Sequence, residues 1–219
     1  MTVWILVLHI AVLGYWLGSE LVINSTYRYV SYAGSMPFNE RQRLMDHVMI
    51  VDQHVRYALV LQAMLGTMLA ASYGLVPGGE TVANIALAIG IAWLAFVEAV
   101  HRLHHSAIGQ VLAAIDRASR YVLIIILLAL ATGIVGSEWS MPLWLRLKLS
   151  LFAGVISCGV GIRFALIGHF RTWAVMARDG VTPERNAVIE RTYVRATSVL
   201  VLLWVFIAAI VVVSVVKPV

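Results

Sequence analysis

The sequence predicts an all-α fold, a bundle of six helices that cross a membrane, and three observations carry that reading. The first is composition. Of 219 residues, 61% are apolar and 12% charged, with a mean hydropathy of +0.89, whereas a soluble chain is about 45–50% apolar and about 25% charged. So few charges cannot cover a soluble globule of this size, and the surplus apolar surface needs lipid as its solvent. The same figures exclude disordered, collagenous and disulfide-stapled classes. A single cysteine, Cys158, excludes an intrachain disulfide and a thiolate zinc site. The second observation is a set of long apolar runs, and the third is the placement of arginine between them.

A transmembrane helix needs about 20 mostly apolar residues to cross a hydrocarbon core of about 30 Å. Six stretches qualify, at 3–21, 55–75, 82–100, 121–135, 143–167 and 197–216. The first has no basic residue before it and is longer than a signal-peptide core, so it reads as a retained span. Ahead of the second, Asn39 with Glu40 and Gln42 can cap a helix. Leu44, Val48, Val51 and Val55 then repeat at helical spacing, along the membrane surface or straight into the span. The fourth run is short and needs neighbours such as Leu112, Ala113 and Ala114 if its helix begins earlier. The fifth extends past His169 towards Arg178. After the turn at Asp179-Gly180, Thr182-Pro183-Glu184 is a helix start with proline at the first helical position, and that helix feeds the sixth span. No linker interrupts the chain, which reads as one integral membrane domain over 1–219.

Arginine sets the orientation. Arg28, Arg41, Arg43 and Arg56 fall in or beside the segment 24–53. Arg102, Arg117 and Arg120 fall in 101–120, and Arg171, Arg178, Arg185, Arg191 and Arg195 in 171–195. The alternate connections, 73–80 and 136–142, contain no Lys or Arg. The positive-inside rule places the first set in the cytoplasm and both termini in the periplasm of a bacterial inner membrane. Arg146, Lys148 and Lys217 are the exceptions. The pI of about 9.7 thus reflects inner-leaflet arginines and not nucleic-acid binding.

A weak internal repeat is visible. Asp52-Gln-His-Val-Arg56-Tyr57-Ala-Leu59 recurs 64 positions later as Asp116-Arg-Ala-Ser-Arg120-Tyr121-Val-Leu123, an offset that also lays His105 over His169. Spans two and three then correspond to spans four and five in parallel orientation, as in some transport and redox membrane folds. Chance accounts for the match equally well, because Asp, Arg and Tyr all suit the start of any span.

Ionisable groups inside spans are costly and normally face the bundle interior. Glu20, Glu98 and Arg163 occupy the cytoplasmic halves of their helices, level with Arg56 and Arg120. Pairings such as Glu98 with Arg163, or Glu20 with Arg56 or Arg120, would neutralise them. The alternative is that the arginines reach the headgroups along their own stems. His101, His104 and His105 share one helical face, and with His54 and His169 they are weaker candidates for a metal site; imidazole alone does not choose between zinc, copper and iron. Met64 and Met68, and Met45 and Met49 around His47, suit Cu(I) as thioethers but are equally ordinary membrane-helix filler.

His9 stands apart in the outer half of the first span, within Trp4-Ile-Leu-Val-Leu-His9-Ile. Lys148 enters the fifth span from the same side. At 1.5 Å rise per residue, both lie roughly 8–9 Å below the outer boundary. An iron porphyrin between the helices would explain both, with His9 as axial ligand and Lys148 as second ligand or propionate partner. Snorkelling of Lys148 to the outer surface is the simpler account of that residue.

The opening segment from Trp4 through His9 to Trp16-Leu-Gly18 resembles the first helix of the copper-resistance D-like superfamily of bacterial membrane proteins, in which an apolar helix bears one His, then Trp and a small residue. Pro142-Leu-Trp144-Leu-Arg-Leu-Lys148-Leu is similar to the Trp-Leu-x-x-Lys-Leu signature of the same superfamily. The membrane protoporphyrinogen oxidases, which bind b-type haem, share both features. The resemblance covers two helices; elsewhere it is one of hydropathy only. It implies His9 as a haem ligand and Lys148 as essential to that site. The chain departs from the haem-synthesis branch in its six spans, its long cytoplasmic helices, and in carrying Gly18-Ser19-Glu20-Leu-Val-Ile-Asn24 where that branch has an aromatic-rich segment.

The expectation is therefore a b-type haem protein that transfers electrons or oxidises a small hydrophobic substrate, with quinone as acceptor. One alternative is a copper or small-solute permease built on the inner His, Glu and Arg residues. Another is a non-catalytic subunit scaffolding a respiratory or photosynthetic complex, with protein partners or a second copy on its long helices and with acidic partners or anionic lipid on its arginines.

Overall fold

A computed structural model describes residues 2–103, 106–139 and 141–218. Among these the chain forms six helices: α1 (Thr2–Tyr32), α2 (Phe38–Ser72), α3 (Gly79–Arg102), α4 (Ala107–Thr132), α5 (Leu143–Asp179) and α6 (Pro183–Val216). The described residues contain no strand. Local chemistry sets the breaks. Thr182 caps α6 by accepting from the Arg185 amide at 3.3 Å, and Ser106 caps α4 through the Gly109 amide at 3.0 Å. Gly133 closes α4 at φ 79°, in the left-handed region where a side chain is strained. Asn39 does not cap α2. Pro37 holds that position, its carbonyl accepting from the Glu40 and Arg41 amides.

Five helices, all except α4, are long and apolar enough to cross a membrane, as in a multi-pass membrane protein. The first runs well past residue 21, to Tyr32, and α4 begins at Ala107 instead of near 121. Every 18-residue stretch of α4 includes Asp116, Arg117 and Arg120, which is why its composition falls short. Two of those three face inward: Asp116 is buried, and its Oδ2 pairs with Arg120 at 3.0 Å. The opposite face exposes Ile108, Val111, Ile115, Val122 and Ile125 at helical spacing. Charges inside and aliphatics outside is the reverse of a soluble helix.

Each helix packs on its neighbours in sequence, and α1 closes the ring against α6. α5 and α6 make the most extensive seam. Gly154, Cys158, Gly161, Ala165 and Gly168 recur on α5 at alternating intervals of four and three. A Cβ on Gly154 would lie 3.1 Å from the Phe206 ring, on Gly161 3.4 Å from Val199 Cγ1, and on Gly168 3.8 Å from Thr192 Oγ1. Small residues at a 3.5-residue period let two backbones approach closely, which supplies the packing contacts that lipid cannot. At the bundle centre Trp16, Ala58, Val155, Cys158, Leu203 and Ile207 form an apolar layer from α1, α2, α5 and α6.

The end where α1 passes to α2 and α5 to α6 carries most of the arginines, and is called the basic end below. Its core joins Tyr27, Val30, Met45, Trp173, Met176, Ile189 and Tyr193. Besides Ser31, two ionisable residues there are fully buried, Arg41 and His169. The Trp173 indole links them: His169 stacks on it at 5.1 Å and 19°, the Arg41 guanidinium lies 5.2 Å from its centroid, and its Nε1 donates to Gln42 Oε1 at 2.5 Å. Arg41 Nη1 donates to Asn186 Oδ1 at 2.8 Å, while its Nε and Nη2 are buried without a hydrogen-bond partner among the described residues.

Two outcomes follow from this packing. Asn186→Ala removes the acceptor of a fully buried guanidinium and should destabilise the fold by about 1–3 kcal/mol, read as a lower melting temperature in detergent, with Asn186→Asp retaining stability. A Cβ on Gly90 of α3 would overlap the Met64 side chain of α2 down to its Cβ. Gly90→Ala should therefore cost about 1–3 kcal/mol in the same melting assay, whereas Gly14→Ala, with nothing within 4 Å, should cost none.

Candidate functional site

Towards the end of the bundle opposite the basic end, α1 presents His9 to α2. Gln62, the one amide in the second apolar run, donates from Nε2 to the His9 carbonyl at 2.9 Å. One turn on, Gly66 leaves room for the imidazole, whose Cε1 lies 3.4 Å from where a Gly66 Cβ would stand. His9 Nδ1 is buried and has no hydrogen-bond partner among the described residues. The Lys148 ammonium, from α5, is within electrostatic reach of this imidazole. No ion pair of Lys148 occurs among the described residues. The two groups that the sequence places at one depth thus come within electrostatic reach of each other. Gln62, which holds the His9 carbonyl, and Gly66, which lies beside the ring, were not among the predicted site residues; a lone amide one turn from a glycine inside an apolar span is the signal that marks them.

Such a pair suits an iron porphyrin. An imidazole with an unpaired ring nitrogen can ligate iron, and an ammonium without a carboxylate partner can hold a propionate. The methionines are placed differently. Met64 packs against Gly90, Met68 lies against Ile5, Leu65 and Leu69, and Met45 belongs to the basic-end core.

On the other side of the central apolar layer lies an interior charge network. Asp52 pairs with Arg56 on α2 at 3.2 Å and Asp116 with Arg120 on α4 at 3.0 Å, so the two similar strings form the same ion pair. Arg163 of α5 stands within electrostatic reach of all four. Glu20 of α1 is buried, accepts from Trp16 Nε1 at 3.3 Å, and is within reach of Asp52. The expected partnerships of Glu20 with Arg56 or Arg120, and of Glu98 with Arg163, are not the ones formed. Glu98 takes Arg102 one turn on at 2.5 Å, together with the Tyr57 hydroxyl. Its helix packs on α2 and α4, and a partner at i+4 is reached without spanning the bundle.

Among the described residues the histidines do not converge. His54 accepts or donates with the Tyr15 hydroxyl at 2.5 Å and lies edge-on to Tyr57. His169 Nδ1 meets the Tyr27 hydroxyl at 3.0 Å, deep in the basic-end core. His101 is exposed at the end of α3, and His104 and His105 lie outside the described residues. Among the described residues no three of His, Cys, Asp and Glu come together as a metal cage.

Set against known protein families, curated proteins and solved structures, the chain matches none.

Proposed function

We propose that this chain is a multi-pass protein of a bacterial inner membrane that binds b-type haem between α1 and α5 and works in electron transfer, or in oxidising a small hydrophobic substrate with quinone as acceptor. The observation that carries the reading is the buried, partnerless Nδ1 of His9 within electrostatic reach of Lys148. Charged groups at such depth are costly unless paired or functional. Here a cation and a metal-binding nitrogen share one place, with no carboxylate among their described hydrogen-bond and ion-pair partners. Haem supplies one-electron redox chemistry. His9 would hold the iron and Lys148 would hold a propionate or serve as a second ligand, while Gln62 fixes the His9 backbone and Gly66 lies beside the ring. The topology that goes with this reading has six spans and both termini in the periplasm. The aliphatic outer face of α4 supports its crossing, and the arginines gathered at one end support the orientation.

One observation favours a second reading, a small-solute permease. Charges from α1, α2, α4 and α5 come within reach of one another inside the ring, as they do along ion and proton routes.

An absorbance spectrum of the detergent-purified protein separates the two. Haem binding predicts a Soret band and dithionite-reduced α and β bands. They should be abolished by His9→Ala, while Lys148→Met should weaken haem affinity by about 10–100-fold, the usual cost of losing a supporting partner. A folded, colourless protein, or bands unchanged in His9→Ala, would overturn the assignment. Under the permease reading Arg163→Gln instead abolishes solute uptake in vesicles and leaves any spectrum untouched.

A further inference from the structure

The α5–α6 seam that holds the bundle together has an outer side, and there the two helices leave a groove of about 460 Å³ between Phe164, Ile167, Gly168, Thr192, Arg191 and Arg195. Three properties identify what fits it. First, its position: Phe164 and Ile167 are 63% and 43% exposed and end the fifth apolar run, while Arg195 stands just ahead of the sixth, so the groove crosses the level where hydrocarbon gives way to headgroups. Second, its charge: Arg191 and Arg195 sit one turn apart on α6, a repulsive spacing. Neither is in an ion pair with a described residue, and no carboxylate lines the groove. Arg191 spends only its Nε, on the Ala187 carbonyl of its own helix. The nearest acidic neighbour in sequence, Glu190, acts on Arg41 within the core. Third, its shape: Gly168 offers no side chain, so the floor lies open between an apolar half and a basic half.

We infer that this groove binds an anionic glycerophospholipid, its phosphate and acidic headgroup on Arg191 and Arg195 and its acyl chains along Phe164 and Ile167. A soluble phosphate would use only the basic half, and a zwitterionic lipid carries a cation of its own to the arginines. Basic pockets between helices at the cytoplasmic headgroup level recognise lipids in this way. Because Gly168 and Thr192 belong to both the groove and the seam, an occupant there also braces the contact between α5 and α6.

Native mass spectrometry of the protein titrated with phosphatidylglycerol or phosphatidylcholine tests this. Phosphatidylglycerol should bind selectively. The double variant Arg191→Gln/Arg195→Gln should weaken it by about 25-fold, two headgroup contacts at roughly fivefold each. Arg178→Gln, an exposed arginine beyond the groove, should not change it. Melting of the lipid-free variants checks that the fold is kept. Equal retention of both lipids, undiminished binding in the double variant, the same loss in Arg178→Gln, or displacement by inorganic phosphate would each overturn the assignment.

Discussion

Hydrocarbon offers no hydrogen bonds, and this constraint shapes the whole molecule. Every backbone group must be satisfied within its own helix, which leaves long unbroken helices as the form of the chain. Side chains follow the same economy. The hydroxyls of Ser19, Thr67, Ser157, Thr192, Ser198 and Ser214 each turn back to the carbonyl four residues earlier. Asp52 and Arg56 on α2, Glu98 and Arg102 on α3, and Asp116 and Arg120 on α4 likewise pair one turn apart on the same helix. Local pairing asks nothing of the bundle, so each helix can be neutralised before it packs. What then joins the helices is close contact, and the glycine-bearing face of α5 against α6 is its fullest expression.

Groups that escape this economy are informative. Arg41 is wholly buried with its Nε and Nη2 unpaired among the described residues, yet it has an amide acceptor and an indole face. Cation–π attraction strengthens once water is removed, so that cluster reads as structural, tying α2, α5 and α6 together. His9 and Lys148 have no such compensation. Among the described residues the His9 carbonyl accepts from Gln62, which fixes the backbone and leaves Nδ1 without a partner. That unspent nitrogen is the group the proposed haem would use.

Much of the fold was legible because its signals are one-dimensional. Apolar runs, the Thr182-Pro183 start and the extension of α5 past His169 all depend on residues close in sequence. An earlier start of α4, through Leu112, Ala113 and Ala114, was open in the sequence but not decided by it, because Asp116 and Arg120 break the hydropathy while facing inward, and hydropathy does not record direction. The start of α2 was misplaced because Asn39 is a good cap by type, but Pro37 had already fixed the backbone. In the site, equal counts along two spans set His9 and Lys148 at one depth, and the two are within electrostatic reach of each other. The partners of Glu98 and Glu20 were not legible. A pairing across the bundle depends on which helices are neighbours, and sequence spacing alone favours no candidate among Arg56, Arg120 and Arg163.

The order of layers along the bundle bears on mechanism. Three helices give the same sequence of chemistry: His9, Trp16 and Glu20 on α1; Gln62, Ala58 and Asp52 on α2; Lys148, Val155 and Arg163 on α5. A polar site, an apolar layer and a charge network therefore succeed one another. At 1.5 Å per residue, the polar groups at the two ends stand roughly 15–22 Å apart along the axis. The layer between them is built from Trp16, Ala58, Val155, Cys158, Leu203 and Ile207, each nearly or wholly buried. Ions and hydrated solutes pay heavily to cross such a layer, whereas an electron needs only a redox centre on the near side and an acceptor within tunnelling reach. A charge network walled off from the His9–Lys148 site by packed aliphatics cannot share a solute with it. It can still balance charge and hold α1, α2, α4 and α5 in register around the redox centre proposed at the other end.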